Sequence, residues 1–130
     1  MATTTAHIDQ AHYKTTISNN RQQFIADEPI DEGGTDLGFS PNELLCSALA
    51  SCTAITLRMY ADRKAWDLQE AKVQVSFERD AKATQTQVVR KVELIGNLTE
   101  EQRERLLGVA NACPVHKMLS NPIEILTSLV

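Results

Sequence analysis

The chain has 130 residues, 42% of them hydrophobic and 23% charged, with a net charge of −4. That length predicts a single domain over residues 1–130 with room for a real core. The acidic balance and the lack of any basic stripe exclude the clustered Lys and Arg with which nucleic-acid-binding proteins neutralise phosphates.

The opening "MATTTAHIDQAHYK" has neither a charged start nor an apolar stretch of secretory length, so no signal peptide is expected. No apolar run approaches the ~20 residues a membrane helix needs, so no membrane partner is expected either. A cytoplasmic setting follows, in which thiols stay reduced. The three cysteines are then no structural disulfide framework, and a disulfide among them would be transient and catalytic.

In chain order, His7 to Ile17 has a rough strand alternation, "SNN" at 18–20 signals a turn, and "RQQFIAD" returns as a second strand. "EPIDEGGTDLGFSP" is a long irregular connection, of a length that is often functional. A helix begins at Ser40, with Pro41 suited to the first helical position and Glu43 completing a capping box. It runs to about Lys64. Leu45, Ala48, Leu49, Cys52, Ile55, Thr56 and Met59 share one face at the 3.6-residue period, and Ala50, Ala54 and Leu57 make the other side apolar as well. Such a helix is expected to thread the centre of the fold.

"AKVQVSFERD" alternates Val73, Val75 and Phe77 against polar residues, and "TQVVRKVELIGNL" supplies an antiparallel partner across "DAKATQ". A second helix starts at Thr99, with Gln102 closing its capping box, and carries Leu106, Val109, Ala110 and Cys113 on its apolar stripe. Pro114 breaks it, "VHKML" makes a short helical turn, and "IEILTSL" is expected to close as a strand. The order ββ–α–ββ–α–β describes an α+β fold with antiparallel sheets around a central buried helix.

Cysteine is often a plain core residue, and Cys46 is read as one. Cys52 and Cys113 differ in facing inward from two helices, where they can approach each other. A peroxide-reducing site needs that arrangement: one thiolate attacks the O–O bond, becomes a sulfenic acid, and condenses with the second thiol. The attacking sulfur needs a nearby cation, because Cys52 lies too far along its helix for the dipole to help. Arg21 and Arg58 are candidates, although Arg58 is also the i,i+4 partner of Asp62. A structural zinc site needs four ligands, and only Cys113 and His116 are close in sequence. A hydrolase of the Cys–His type has nothing beyond residue identity behind it.

Two stretches resemble the OsmC/Ohr superfamily, and in particular its short OsmC-like proteins. They are "GGTDLGFSPNELLCSALASCTAITLRMYADRKAWDL" at 33–68 and "LTEEQRERLLGVANACPVHKML" at 98–119. The resemblance implies an intertwined homodimer and a thiol-dependent peroxidase that reduces organic hydroperoxides with a dithiol reductant and no cofactor. It assigns Cys52 as the attacking cysteine and Cys113 as the resolving one, with Glu43 and Arg21 as the accompanying carboxylate and cation. Two positions depart from the family pattern. The glutamate usual ten residues before the first cysteine is here Asn42, with Glu43 nine before. Ala65 stands where relatives have glycine. Asn42 favours an alternative, a binding protein that keeps the fold with little peroxidase activity. A pocket lined by Leu45, Leu49 and Met59 is expected to admit bulky apolar ligands.

Overall fold

Asn19 makes the first tight reversal of the chain: its Oδ1 accepts the N–H groups of Arg21 and Gln22, both at 2.8 Å. An Asn side chain that mimics a backbone turn in this way is a common means of closing a hairpin. In the computed structural model, which describes residues 1–82 and 84–130, this turn joins β2 (Thr15–Ser18) to β3 (Gln23–Ala26). A further strand, β1 (Thr5–His7), pairs antiparallel with β2, giving a three-stranded sheet in the order β1-β2-β3. The sequence alternation over His7 to Ile17 is thus two strands rather than one.

The chain divides into two compact units, Met1–Leu45 and Cys46–Val130. The first is organised by Asp27, a buried carboxylate at the end of β3. Its oxygens accept the Thr35 hydroxyl at 2.5 Å and the N–H groups of Glu28, Tyr13 and Leu37 at 2.8, 3.1 and 3.2 Å. These bonds hold the charged form, so the Asp27 carboxyl sits well below the usual carboxylate range, led by the Thr35 hydroxyl. The glycine-rich connection is therefore a tight loop wound on one carboxylate. Gly38 lies so close to β3 that a Cβ there would come within 1.9 Å of the Ile25 carbonyl oxygen.

Helix α1 covers Pro41–Lys64, with the expected start and end. The Ser40 N–H donates to the Glu43 carboxylate at 3.0 Å and the Glu43 N–H donates to the Ser40 hydroxyl at 3.2 Å, which is the expected capping box. The helix closes on Ala65, whose φ of 56° is left-handed, and the Trp66 N–H reaches back to the Ala61 carbonyl at 2.9 Å. The left-handed end is thus kept without the glycine that usually supplies it. By length and composition α1 is apolar enough to cross a membrane, contrary to the expectation that no apolar run approaches that length.

The second unit pairs β4 (Asp67–Phe77) with β5 (Val88–Asn97) in a long antiparallel hairpin, interrupted in register between Leu68 and Glu70. Val73, Val75 and Phe77 alternate as half-buried residues against exposed neighbours, as their spacing predicts. The connection expected over residues 80–85 includes residue 83, which lies outside the described residues. Gly96, at φ 152°, lets β5 pass within contact of the Asp67 carbonyl, where a Cβ would meet the oxygen at 2.0 Å.

Helix α2 (Glu100–Ala110) starts with the expected Thr99–Gln102 capping box. It stops three residues short of Cys113, because Asn111 and Ala112 turn the chain before Pro114 opens α3 (Pro114–Leu119). Leu57 and Ala61 of α1, Leu68 of β4, and Leu106, Val109 and Ala110 of α2 form the core of this unit. Arg103 secures α2 to β5 by donating to the Leu94 and Gly96 carbonyls at 2.7 and 3.1 Å.

Two expectations are corrected here. The row of α1 that is buried is Leu49, Thr53, Leu57 and Ala61, an i,i+4 ridge. Ile55 and Met59, assigned inward by periodicity, are 54% and 60% exposed. A helix that is apolar all round does not reveal by its period which side its own chain will cover. The segment "IEILTSL" forms no strand. The β4–β5 hairpin does not extend to it, and a strand needs a neighbour to take up its N–H and C=O groups.

Candidate active site

Cys52 and Cys113 meet. Cys52 sits half-buried at the start of the fourth turn of α1, one residue from the buried ridge, and Cys113 is fully buried at the N-cap of α3. Pro114 at the first position of α3 fixes this cap, since it needs no N–H bond and cannot extend α2. The two thiols lie close enough to shift each other's ionisation. The Cys113 sulfur accepts the His116 N–H at 3.4 Å.

These surroundings split the pair. Burial pushes the Cys52 thiol up, and the bond with Cys113 adds to the rise. Burial also works against ionising Cys113, but the bonds from Cys52, His116, Val115 and Thr53 outweigh it and bring that thiol down. The two thiols are thus shifted in opposite directions.

Arg90 was not singled out by the sequence. Its position in β5 brings the guanidinium to the other side of Thr53: Nη1 donates to the Thr53 hydroxyl at 3.1 Å and Nη2 to the Asn111 side-chain oxygen at 2.8 Å. An arginine in the middle of a strand gives no sign in one dimension of which helix it will reach. The half-buried position of Arg90 within an otherwise apolar-inward alternation is the one clue that was available.

Arg58, Arg21 and Glu43 were the other sequence candidates. Arg58 is held by Asp62, with Nε at 2.9 Å and Nη2 at 2.5 Å from the carboxylate, and it also donates to the Leu68 carbonyl. Its reading as an i,i+4 partner is the one the structure bears out. Arg21 is exposed in the β2–β3 turn, where its N–H is bound to Asn19. Glu43 holds the first turn of α1, and the bonds from Ser40 bring its carboxyl below the ordinary range. Cys46 is a free, half-buried thiol on α1.

A cavity of about 840 Å³ opens beside Arg90 and His116, with Leu49, Val88 and Leu119 on its apolar wall. Of the three residues expected to line a pocket only Leu49 does so. Leu45 and Met59 are exposed: Met59 lies off the ridge that α1 buries, and Leu45 lies on its line but one turn before burial begins.

Residues 33–128 match the family model described as OsmC-like protein. The chain belongs to the OsmC-like family. The OsmC-like match spans both stretches that carried the resemblance, including Cys52 and Cys113. Solved structures of the same fold include the OsmC-like protein of Mycoplasma pneumoniae, with a TM-score of 0.79 and 21% identity over 91% of this chain and 86% of that one. The organic hydroperoxide resistance protein OhrB of Bacillus subtilis aligns with a TM-score of 0.62 and 22% identity over 91% and 89% of the two chains. An organic hydroperoxide resistance protein OsmC from Legionella pneumophila aligns at 0.64 and 19% identity, over 92% and 90%. At these identities the likeness is one of fold. No curated protein gives a significant sequence match.

Proposed function

We propose that this OsmC-like protein is a thiol-dependent peroxidase that reduces organic hydroperoxides through Cys52 and Cys113. The observation that carries the reading is the pair of neighbouring thiols, one half-buried on α1 and one fully buried at the α3 N-cap, beside a cavity with an apolar wall. The half-buried member, Cys52, attacks the peroxide. Cys113 then closes a disulfide, and a dithiol reductant opens it. The names of the Bacillus subtilis and Legionella pneumophila relatives, organic hydroperoxide resistance proteins, point to the same substrate class. Leu49, Val88 and Leu119 favour bulky apolar hydroperoxides over hydrogen peroxide, because burying an apolar group stabilises the complex by about 25 cal/mol per Å². Arg21 and Glu43 stand in this reading as the cation and carboxylate that the family resemblance assigns.

The protein acts in the cytoplasm as a single OsmC-like domain per chain, in a homodimer. The support for the dimer is the apolar side of α1 that its own chain leaves uncovered, with Ile55 and Met59 exposed. The C-terminal segment, with Ile125 and Leu126 exposed, is a second such surface.

Consumption of cumene hydroperoxide with dithiothreitol as reductant, compared with hydrogen peroxide, tests the activity. Turnover with a higher kcat/KM for the organic substrate is expected. The absence of turnover with either would leave the binding-protein alternative that Asn42 favours.

A further inference from the structure

Where α1 ends against α2, two aromatic rings and two cations meet in one surface hollow. Tyr60 and Trp66 pack edge to face, with ring centroids 5.6 Å apart and planes at 68°. The Lys64 ammonium lies 5.8 Å from the centre of the Tyr60 ring and the Arg105 guanidinium 5.7 Å from it, both within cation–π range. With Glu101 and Gln102 of α2, these groups line a cavity of about 340 Å³. Its donors are not used up by the fold. Arg58 commits both Nη groups to Asp62 and the Leu68 carbonyl, Arg90 to Thr53 and Asn111, and Arg103 to the Leu94 and Gly96 carbonyls. Arg105 is fixed differently, by Nε donating to the Tyr60 hydroxyl at 3.0 Å, which leaves the edge formed by its two Nη groups open. That edge matches a carboxylate or phosphate. Among the described residues no carboxylate pairs with Lys64 or Arg105. The Gln102 side-chain oxygen is taken by the Thr99 N–H at 3.0 Å, so its NH2 group remains as a further donor. The bond from Arg105, and then the charges of Arg105, Lys64 and Arg63, bring the Tyr60 hydroxyl below the ordinary phenol range. The hollow is thus locally positive on a chain whose net charge is −4.

We propose that this hollow binds a small planar organic anion, an aromatic carboxylate or phosphate ester, with its acid group on Arg105 and Lys64 and its ring against Tyr60 and Trp66. The cations need a negative group to neutralise them, and the two rings offer a flat apolar body a surface to cover. A bare inorganic ion uses only the first of these and a neutral ring only the second. The cavity lies at the small end of ligand pockets, with room for about one or two rings. Glu101 is the carboxylate on its wall, and its repulsion works against the anion. The site is separate from the thiol pair: Tyr60 follows Cys52 by two turns of α1, about 12 Å along the helix axis. It shares no lining residue with the cavity beside Arg90 and does not depend on the peroxidase reading.

Trp66 is the one tryptophan of the chain, so its fluorescence reports on this hollow directly. Titration of the full chain with benzoate and with phenyl phosphate should give a saturable change, and the tighter of the two identifies the acid group. Inorganic phosphate, which has no ring, and benzamide, which has no charge, should both bind more weakly. Arg105→Gln and Lys64→Gln should each weaken binding about tenfold, the size expected for loss of a hydrogen bond to a charged group. Glu101→Gln should tighten it, added salt should weaken it, and Cys52→Ser should leave it unchanged. Lys64 is an exposed side chain, so if Arg105→Gln fails to fold by circular dichroism, Lys64→Gln decides the matter alone. No saturable change with either aromatic anion, equal affinity for inorganic phosphate, or binding that survives both Arg105→Gln and Lys64→Gln would overturn the inference. A wild type that binds the aromatic anion as predicted but is inert to hydroperoxides would remove the peroxidase reading and leave this site standing.

Discussion

The Arg90 guanidinium donates to the Thr53 hydroxyl at 3.1 Å across 37 residues of sequence, and its other nitrogen donates to the Asn111 side-chain oxygen at 2.8 Å. These contacts tie β5, α1 and the α2–α3 junction together beside the two cysteines. The roles proposed for the cysteines rest on their unequal burial.

Cys52→Ser should abolish hydroperoxide consumption, since Cys113 is fully buried and out of reach of the substrate. Cys113→Ser should still react once, more slowly than wild type, and leave a sulfenic acid on Cys52 that a dimedone-type trap and mass spectrometry detect. Repeated exposure should carry that sulfur on to the sulfinic state. A trap that labels Cys113 in the Cys52→Ser protein would reverse the two roles.

Asp27 makes the first unit sensitive to acid. Its carboxyl ionises at lower pH in the folded chain than in the unfolded one, chiefly through the Thr35 hydroxyl, so its contribution is present above the ordinary carboxylate range near 3.8. That contribution is lost as pH falls below it. Asp27→Asn should lower the melting temperature at pH 7 and flatten its fall between pH 5 and pH 2. Melting curves followed across that range check both, and an unchanged pH profile in the variant would rule out Asp27 as the source.

Ala65 closes α1 in a left-handed conformation that costs an L-residue about 1–2 kcal/mol. Part of that is offset by the lower entropy of alanine in the unfolded chain, so Ala65→Gly should stabilise the protein by about 0.5–1 kcal/mol. Urea unfolding measures it through the midpoint at constant slope. A destabilised Ala65→Gly protein would mean that the helix end is held some other way.

The exposed apolar side of α1 sets an expectation for assembly. Sedimentation at micromolar concentration should give a dimer, and Met59→Lys should weaken it, because a charge would be buried at the covered surface. A folded wild-type monomer under those conditions would contradict the dimer.

Local chemistry was the legible part of this sequence. Both capping boxes, the Asn19 turn, the extent of α1 and the inward stripe of α2 follow from interactions between residues a few positions apart. Cys52 and Cys113 were singled out as inward-facing, although Cys113 lies beyond the end of α2, at the N-cap of α3, and Cys52 lies beside the buried ridge of α1. Three features were not. The buried ridge through Thr53 depends on which side of an all-apolar helix the hairpin covers. The reach of Arg90 to Thr53 depends on how β5 passes α1. The fate of "IEILTSL" depends on a neighbouring strand that β4 and β5 do not supply. Asp27 was missed for a related reason: its five hydrogen bonds come from four residues spread from Tyr13 to Leu37 that share no periodicity.

The central claim is that Cys52 and Cys113 form one redox pair, and the direct measurement is a count of free thiols before and after one equivalent of cumene hydroperoxide. Three free cysteines are present at the start. The account predicts rapid loss of two thiols per chain, with mass spectrometry finding a disulfide between Cys52 and Cys113 and Cys46 still free. Thiols that survive the equivalent of hydroperoxide, or a disulfide that involves Cys46, would contradict it.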